Sequence, residues 1–380
     1  MTSVTSLPVV TVNARRLARR RTGIETYMER LLTAIHTTGT ARVVATTCEP
    51  LPAGTLPFAD IRLRPLRDLR PGRLGSQLRK LWFDYWGCLQ PVREQDSILF
   101  HGLDGLIPRS LRRSDRCVIT IHDLAFAVHP ELYHWRTRIL YRALFRWMVG
   151  RADRVIADSA HTAHDLVRIA GVPASRIEVV HLGVDPIYFC PPAQQLGPGP
   201  WKDAPYVFAV GGISPRKNGR RLIEAFVRWR ARGGQRSRYR LLIAGNSLDP
   251  RFAGDGAAAL PEGIIQLGHV DDAQLRALYA EAQALLFPTI YEGFGLPIIE
   301  AMASGTPVVT SRTGSAPEAA GDAAILVDPF DVGDIADGLE VVTQPEEQSR
   351  LRALGPARAR HFTWERAALA TGEVYRSLGH

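Results

Sequence analysis

Glu292 and Glu300 bracket the string Gly-Phe-Gly-Leu-Pro-Ile-Ile, which runs on into Ala301-Met-Ala-Ser-Gly-Thr-Pro-Val-Val-Thr310. The apolar run Ala284 to Phe287 reads as a strand that breaks at Pro288 into a glycine-rich loop. That loop feeds a helix starting near Leu296-Pro297, because proline is tolerated in a first helical turn. Gly305 ends the helix, and Pro307 to Thr310 reads as the next strand. One carboxylate therefore sits in the loop and the other about one turn inside the helix. Between them lie the backbone N–H groups of a helix N-terminus. The combination suits a sugar that carries a phosphate: amides and helix dipole for the anion, carboxylates for the hydroxyl groups.

A second segment, Phe208-Ala-Val-Gly-Gly-Ile-Ser-Pro-Arg-Lys-Asn-Gly219, ends a strand in paired glycines and places Arg216 and Lys217 just before a helix. A bidentate guanidinium and a point-charge ammonium together neutralise a diphosphate. Thr120-Ile-His-Asp-Leu124 sets His122 and Asp123 at another strand end, where histidine has a donor and an acceptor near neutral pH. A satisfied structural histidine is the competing reading there. His101, Ser159 and His181 also follow apolar runs. There is no G-x-G-x-x-G and no G-K-[S/T], so NAD and P-loop readings lose their main support.

The Glu292–Glu300 string resembles the E-x7-E signature of retaining glycosyltransferases of the GT-B type, in particular glycosyltransferase family 4. The similarity extends over nearly the whole chain, through Arg216-Lys217-Asn218, Ile121-His122-Asp123 and Arg151-Ala-Asp-Arg-Val-Ile-Ala-Asp-Ser159. It implies catalytic roles for His122 and Glu292, with donor-sugar contacts from Gly293, Phe294 and Asp123. It implies phosphate contacts from Arg216, Lys217, Gly23, Gly295 and Leu296, a ribose contact from Glu300, and base contacts at Val270 and Gly212. His101 and Ser159 fall on the acceptor side. Many members show paired glycines where this chain has only Thr22-Gly23. The resemblance further implies that the acceptor attacks the face the nucleotide leaves from, the departing phosphate taking the proton. Glu292 as a covalent nucleophile is the variant mechanism. With no D-x-D at a strand end to hold a divalent ion, neither a metal nor another cofactor is expected.

These residues need two positioning sheets. Strand patterns alternate with helical ones: Val43–Thr47, Ser97–Phe100, Cys117–Ile121, Arg154–Ala157 and Ile177–Val180 in one half, and Tyr206–Val210, Arg240–Ala244, Ile264–Leu267, Ala284–Phe287, Pro307–Thr310 and Ile325–Val327 in the other. Helical stretches at Glu25–Ile35, Thr137–Val149, Gly219–Arg230 and Ala273–Glu281 intervene. The alternation predicts an α/β chain of two doubly wound Rossmann-like domains. The expected division is an acceptor-binding domain over 1–190 and a nucleotide-sugar-binding domain over 201–362, joined by the Pro/Gly-rich connector 190–200. Phe362-Thr363-Trp364 resembles the start of the family's closing helix, so residues 363–380 are expected to cross back to the first domain. A cleft opening by hinge motion at 186–203 and near 362 is expected with them.

At 380 residues the chain is long for one core and comfortable for two. Hydrophobic content of 46% and charged content of 22% are ordinary for a globular protein. The four cysteines are scattered with no C-x-x-C pair, which argues against a disulfide framework or zinc site and fits a reducing compartment. No secretory-signal pattern and no bilayer-length apolar run is present, so a cytoplasmic location is expected, with peripheral attachment to the inner face of the plasma membrane as a further reading.

Net charge is +9, and its distribution is uneven: residues 1–190 hold 27 Lys and Arg against 17 Asp and Glu, while 191–380 hold 20 against 21. The basic half points to an anionic partner, whether nucleic acid, a lipid surface or a phosphorylated substrate, or simply to an arginine-rich solvated surface. Arg15–Arg21 divides the same way, between an anionic acceptor and a solvated loop. Gly72–Trp86 mixes cations with aromatics, as an interfacial helix does, and equally a helix packing Trp and Phe into a core. The function expected is transfer of a hexose, mannose from GDP-mannose first, to a glycan or lipid-linked saccharide, with no nucleic-acid partner. UDP-sugars and other nucleotide sugars stay open. So does a non-catalytic anionic-ligand-binding protein on the same fold.

Overall fold

The computed structural model describes residues 7–18, 23–63, 80–92, 99–132, 135–193, 196, 199, 201, 204–245 and 260–378. The chain divides into two compact units, Met1–Gly183 with Thr363–His380, and Val184–Phe362. The division falls ahead of the Pro/Gly-rich connector.

The first unit holds strands β1 (Val9–Asn13), β2 (Arg42–Thr47), β3 (Asp60–Leu63), β4 (Leu99–Gly102), β5 (Arg116–Ile121), β6 (Arg154–Ala157) and β7 (Ile177–Val179). They form one parallel sheet in the order β3-β2-β1-β4-β5-β6-β7. Val12 pairs with Ala45 on one side and with His101 on the other, so the strand order reverses beside β1. Helices α1 (Gly23–Thr37), α2 (Ala125–Val128), α3 (Trp135–Arg151) and α4 (Ala160–Ala170) make the crossovers. Strands β1, β2, β4, β5 and β6 are short runs buried on both faces over most of their length, the pattern of a covered parallel sheet, while β3 at the edge is exposed. Helix α4 has clear ends: Ser159 caps it, and Gly171 closes it in the left-handed region at φ +66°.

The second unit repeats the plan with β8 (Tyr206–Val210), β9 (Arg240–Ala244), β10 (Ile264–Gly268), β11 (Ala284–Phe287), β12 (Val308–Ser311) and β13 (Ile325–Val327). Their order is β10-β9-β8-β11-β12-β13, again all parallel, reversing between β8 and β11. Its helices are α5 (Gly219–Arg230), α6 (Asp272–Glu281), α7 (Leu296–Ala303), α8 (Ala316–Ala320), α9 (Val332–Val342) and α10 (Pro345–Ala359). Leu222, Ala225, Phe226 and Trp229 recur at helical spacing on α5 and are buried against β9 and α9 residues such as Leu241 and Leu339. Truncating Phe226 or Trp229 to Ala there would cost about 3–5 kcal/mol.

The last helix, α11 (Trp364–Arg376), belongs to the first unit. Thr363 caps it, its side chain accepting from Arg366 N at 3.2 Å. The helix lies so close to the end of α1 that a Cβ at Gly372 would fall 1.8 Å from Thr40 Cγ2.

Three sequence expectations are corrected. Strands β1 and β3 were not anticipated. Strand β4 lies later than Ser97–Phe100, so His101 is inside the strand rather than after it. Ser97 and Ile98 lie outside the described residues, as do Arg19–Thr22 and Gly72–Arg79 of the two basic segments. In the remainder of the latter, Phe83 is buried while Trp82 and Trp86 are 39% and 43% exposed, so core and surface readings each hold for part of it. Among the described residues no helix is long and apolar enough to cross a membrane.

Candidate functional site

In open α/β sheets ligands bind outside the strand carboxyl ends, where the strand order reverses. In the second unit that place lies between β8 and β11. Strand β8 ends in Gly211 and Gly212, at φ +97° and +73°, whose N–H groups both donate to Ala244 O at 2.9 Å. A Cβ at Gly245 would sit 2.4 Å from Gly212 N, and one at Gly211 would sit 2.9 Å from Lys217 Cε. Glycine here allows two backbones and a lysine stem to crowd into one turn.

Arg216 and Lys217 follow, and both reach Glu292, in the middle of the loop between β11 and α7. Lys217 Nζ donates to Glu292 Oε1 at 2.8 Å and Arg216 Nη1 to Oε2 at 3.3 Å. Lys217 also stands 4.6 Å above the Phe287 ring. Backbone bonds hold the two loops together: Ile290 N donates to Arg216 O at 3.0 Å, and Ser315 Oγ to Glu292 O at 2.8 Å. Asn218, buried and left-handed at φ 59°, donates its amide to Pro288 O at 3.0 Å and also to Pro329 O. Asn218 was legible in the Arg-Lys-Asn string but had been given no role. The charge cluster is thus fixed by scaffold contacts before any ligand enters.

Gly295 precedes α7 at φ +102°, and a Cβ there would meet Ile298 Cδ1 at 2.9 Å. The helix start offers fewer amides than the sequence suggested. Pro297 has no N–H, and Ile298 N donates back to Gly295 O at 2.9 Å. An anion placed at this helix start would find its nearest positive charges on Arg216 and Lys217 rather than on free amides. Leu296 is half-buried at the first helical position, and Gly293 and Phe294 are buried. The Phe294 ring packs edge-on against Phe362 at 5.2 Å. Glu300 accepts from Tyr279 Oη at 3.0 Å. Burial pushes its carboxyl up to about 7, against the pull of the Tyr279 bond. Val270 is half-buried just ahead of Asp271, the cap of α6.

In the first unit the corresponding rim carries His122 at the end of β5. Its Nδ1 bonds Asp158 Oδ2 at 2.7 Å and its Nε2 bonds Leu103 O at 2.8 Å. Both partners are acceptors, so both nitrogens donate and the ring is an imidazolium. Burial alone would lower its pKa; the Asp158 carboxylate and the two hydrogen bonds outweigh burial and hold it up to about 9. The acceptor function expected of this histidine is therefore absent, and Asp158, part of the quoted Ala157-Asp158-Ser159, is the residue that removes it. The Tyr27 ring stands edge-on to His122 at 4.7 Å. Asp123 turns its carboxylate to Ala125 N at 3.1 Å.

His101 and Ser159 lie beneath this rim rather than on it. His101 is wholly buried, with Nδ1 2.7 Å from Tyr375 Oη and Nε2 2.8 Å from Thr120 Oγ1. An acceptor contact from it would need those bonds broken; burial, with His122 nearby, lowers its pKa to about 3. Ser159 is buried and caps α4, accepting from Thr162 N at 3.0 Å. Gly23 starts α1, and a Cβ there would meet nothing within 4 Å, so no protein packing requires glycine at that place. Among the described residues no group of three or more His, Cys, Asp or Glu is arranged to hold a metal ion.

The profile described as Glycosyltransferase Family 4 matches residues 21–187, and that described as Glycosyl transferases group 1 matches 197–356. The O-antigen chain mannosyltransferase B of Escherichia coli is 31% identical over 329 residues, 81% of this chain and 84% of that protein. The chain belongs to glycosyltransferase family 4. The transferase is also 34% identical over 256 residues to the MMP α-(1→4)-mannosyltransferase of Mycolicibacterium hassiacum, which spans 63% of this chain and 59% of that one. Its fold matches the sucrose-phosphate synthase of Thermosynechococcus elongatus with a TM-score of 0.74 at 23% identity, over 98% and 99% of the two chains. The two Rossmann-like sheets are those of a GT-B glycosyltransferase, and the enzyme is a hexosyltransferase.

Proposed function

We propose that this glycosyltransferase moves mannose from GDP-mannose to a glycan or lipid-linked saccharide, with retention at the anomeric carbon and without a metal. The observation that carries the reading is the Arg216–Glu292–Lys217 cluster at the β8/β11 reversal. Mannose as the sugar rests on the mannosyltransferases of E. coli and M. hassiacum.

In this reading Arg216 and Lys217 leave Glu292 for the donor diphosphate and stabilise the charge that develops as it departs. Glu292 is released to the hydroxyls of the transferred sugar, and Glu300 takes the ribose. The leaving phosphate accepts the proton of the attacking hydroxyl. His122 acts as a fixed positive charge and not as a base. The first unit takes the acceptor, and its exposed Leu81, Trp82 and Trp86 beside a basic chain segment make it the unit for peripheral contact with an anionic membrane.

The test is a donor panel read by release of nucleoside diphosphate. GDP-mannose is expected to lead, with activity unaffected by EDTA and the α-configuration kept in the product by NMR. A lead for a UDP-sugar would replace the donor, loss of activity on chelation would replace the phosphate chemistry, and an inverted anomer would undo the roles of both glutamates.

A further inference from the structure

The order of the first sheet reverses between β1 and β4, and its rim there holds buried polar atoms left unused. Arg15 follows β1 and is 5% exposed. Its Nε donates to Asp84 Oδ1 at 2.7 Å and its Nη2 to Asp84 Oδ2, while Nη1 has no partner among the described residues. Asn13 supports the pair, donating to Asp84 Oδ1 at 2.9 Å and accepting from Arg15 N at 3.1 Å. Asp104 follows β4, and its Oδ2 is likewise buried and unpartnered. Asp158 follows β6 and is 2% exposed; one oxygen holds His122 and the other, Oδ1, is unpartnered. Unmet buried groups are costly, so three along one rim, two of them on the adjacent ends of β1 and β4, call for an explanation.

The charges around them are already matched. Arg15 pairs with Asp84, Arg16 with Glu25, and His122 with Asp158. Among the described residues, what this rim still offers is one N–H and two carboxylate oxygens. An incoming phosphate would meet Asp104 and Asp158 with no unpaired cation among these groups. A sugar ring fits, because each hydroxyl both donates and accepts.

We propose that Arg15 Nη1 and Asp104 Oδ2 form a subsite for the hydroxyl groups of an uncharged saccharide, the acceptor end of the transfer. The assignment rests on the glycosyltransferase reading above and narrows it: the recognised end of the acceptor is a neutral sugar, whatever anion the acceptor carries elsewhere. Asp104 Oδ2 then lacks a hydrogen-bond partner in the free protein and gains one from the ligand.

The experiment uses the full chain with methyl α-D-mannopyranoside, methyl α-D-glucopyranoside and myo-inositol as probes, followed by ligand-observed NMR, with Tm measured in parallel. At least one probe should bind the wild type. Asp104→Ala should weaken that binding about tenfold or more, as for loss of a hydrogen bond to a charged group, while Tm stays level or rises. Asp104→Asn, which keeps the shape, should give a smaller loss in the same direction. Arg15 is left untouched, since its other two nitrogens hold Asp84. No binding of any probe to wild type overturns the proposal, as does unchanged affinity in Asp104→Ala. A joint fall of Tm and affinity in both variants makes Asp104 a structural residue and overturns it too. Arg216→Ala should lose nucleotide-sugar binding and keep the probe affinity, so a failed donor reading is seen separately from a failed subsite.

Discussion

Glu292 joins Lys217 and Arg216 through its two separate carboxylate oxygens, at 2.8 and 3.3 Å, so one anion holds both cations of the second-unit rim. A diphosphate arriving there must displace a carboxylate rather than water. Glu292→Gln should therefore tighten binding of the free nucleoside diphosphate several-fold while lowering kcat at least tenfold, because the neutral amide no longer competes for the cations yet serves the reacting sugar poorly. Calorimetry on the diphosphate beside steady-state kinetics measures both. Weaker diphosphate binding in the variant would show that Glu292 does not compete with the ligand.

Arg216→Ala and Lys217→Ala should each reduce kcat/KM by about 2–5 kcal/mol of transition-state stabilisation, the range for truncating one partner of a desolvated charge pair. Lys217 is the more enclosed of the two, 15% against 33% exposed, and should give the larger effect. Unchanged turnover in a folded variant would dismiss the phosphate role.

Glu300 titrates near 7 in the folded chain, above its ordinary value of 4.5. Between those values the folded protein keeps a proton that the unfolded chain has released, so this residue makes stability decline as pH rises from about 4.5 to 7. In the proposed ribose role only the carboxylate form serves, and the donor KM should rise as pH falls below about 7. Glu300→Gln should raise that KM and flatten its pH profile. A wild-type KM independent of pH across this range would remove Glu300 from the ribose.

His122 behaves with the opposite chemistry and the same sign. Its folded pKa of about 9 lies above the ordinary 6.5, so its contribution is complete below 6.5 and is lost as pH rises through 9. Asp158→Asn should bring the titration down and weaken that loss. NMR titration of the ring checks this; a wild-type midpoint near 6.5 would contradict the imidazolium assignment.

Much of the framework could be read from sequence because parallel strands buried on both faces are compact apolar runs. Arg154–Ala157, Tyr206–Val210, Arg240–Ala244 and Ala284–Phe287 were placed at their observed bounds. Strand β1 was not, although it is central: Val9–Asn13 sits next to Thr- and Ser-bearing residues that read as a polar terminus. Strand β3 is exposed along its length and carries Asp60 and Arg62, so it lacks the apolar signature. At the sites, local strings were legible and long-range pairs were not. Arg216, Lys217 and Glu292 were picked from their own motifs, but their mutual contact bridges 75 residues or more. Arg15 was legible only as the start of the basic Arg15–Arg21 run, whereas it is buried on Asp84; that pair and Asp104 gave no signal, since nothing in a single string says where a buried side chain will find or lack a partner.

Helix α11 has a consequence for how the protein is made. Tyr375 supplies the hydroxyl that holds His101, and Gly372 packs on Thr40, so the first unit is finished only by residues translated after the whole second unit. Val184–Phe362 is a continuous stretch and can fold as soon as it clears the ribosome. Met1–Gly183 emerges earlier but must wait through the synthesis of that entire stretch, with the seat of α11 bare and open to chaperones and proteases. A nascent chain of this enzyme thus completes its domains in the reverse of the order in which they begin.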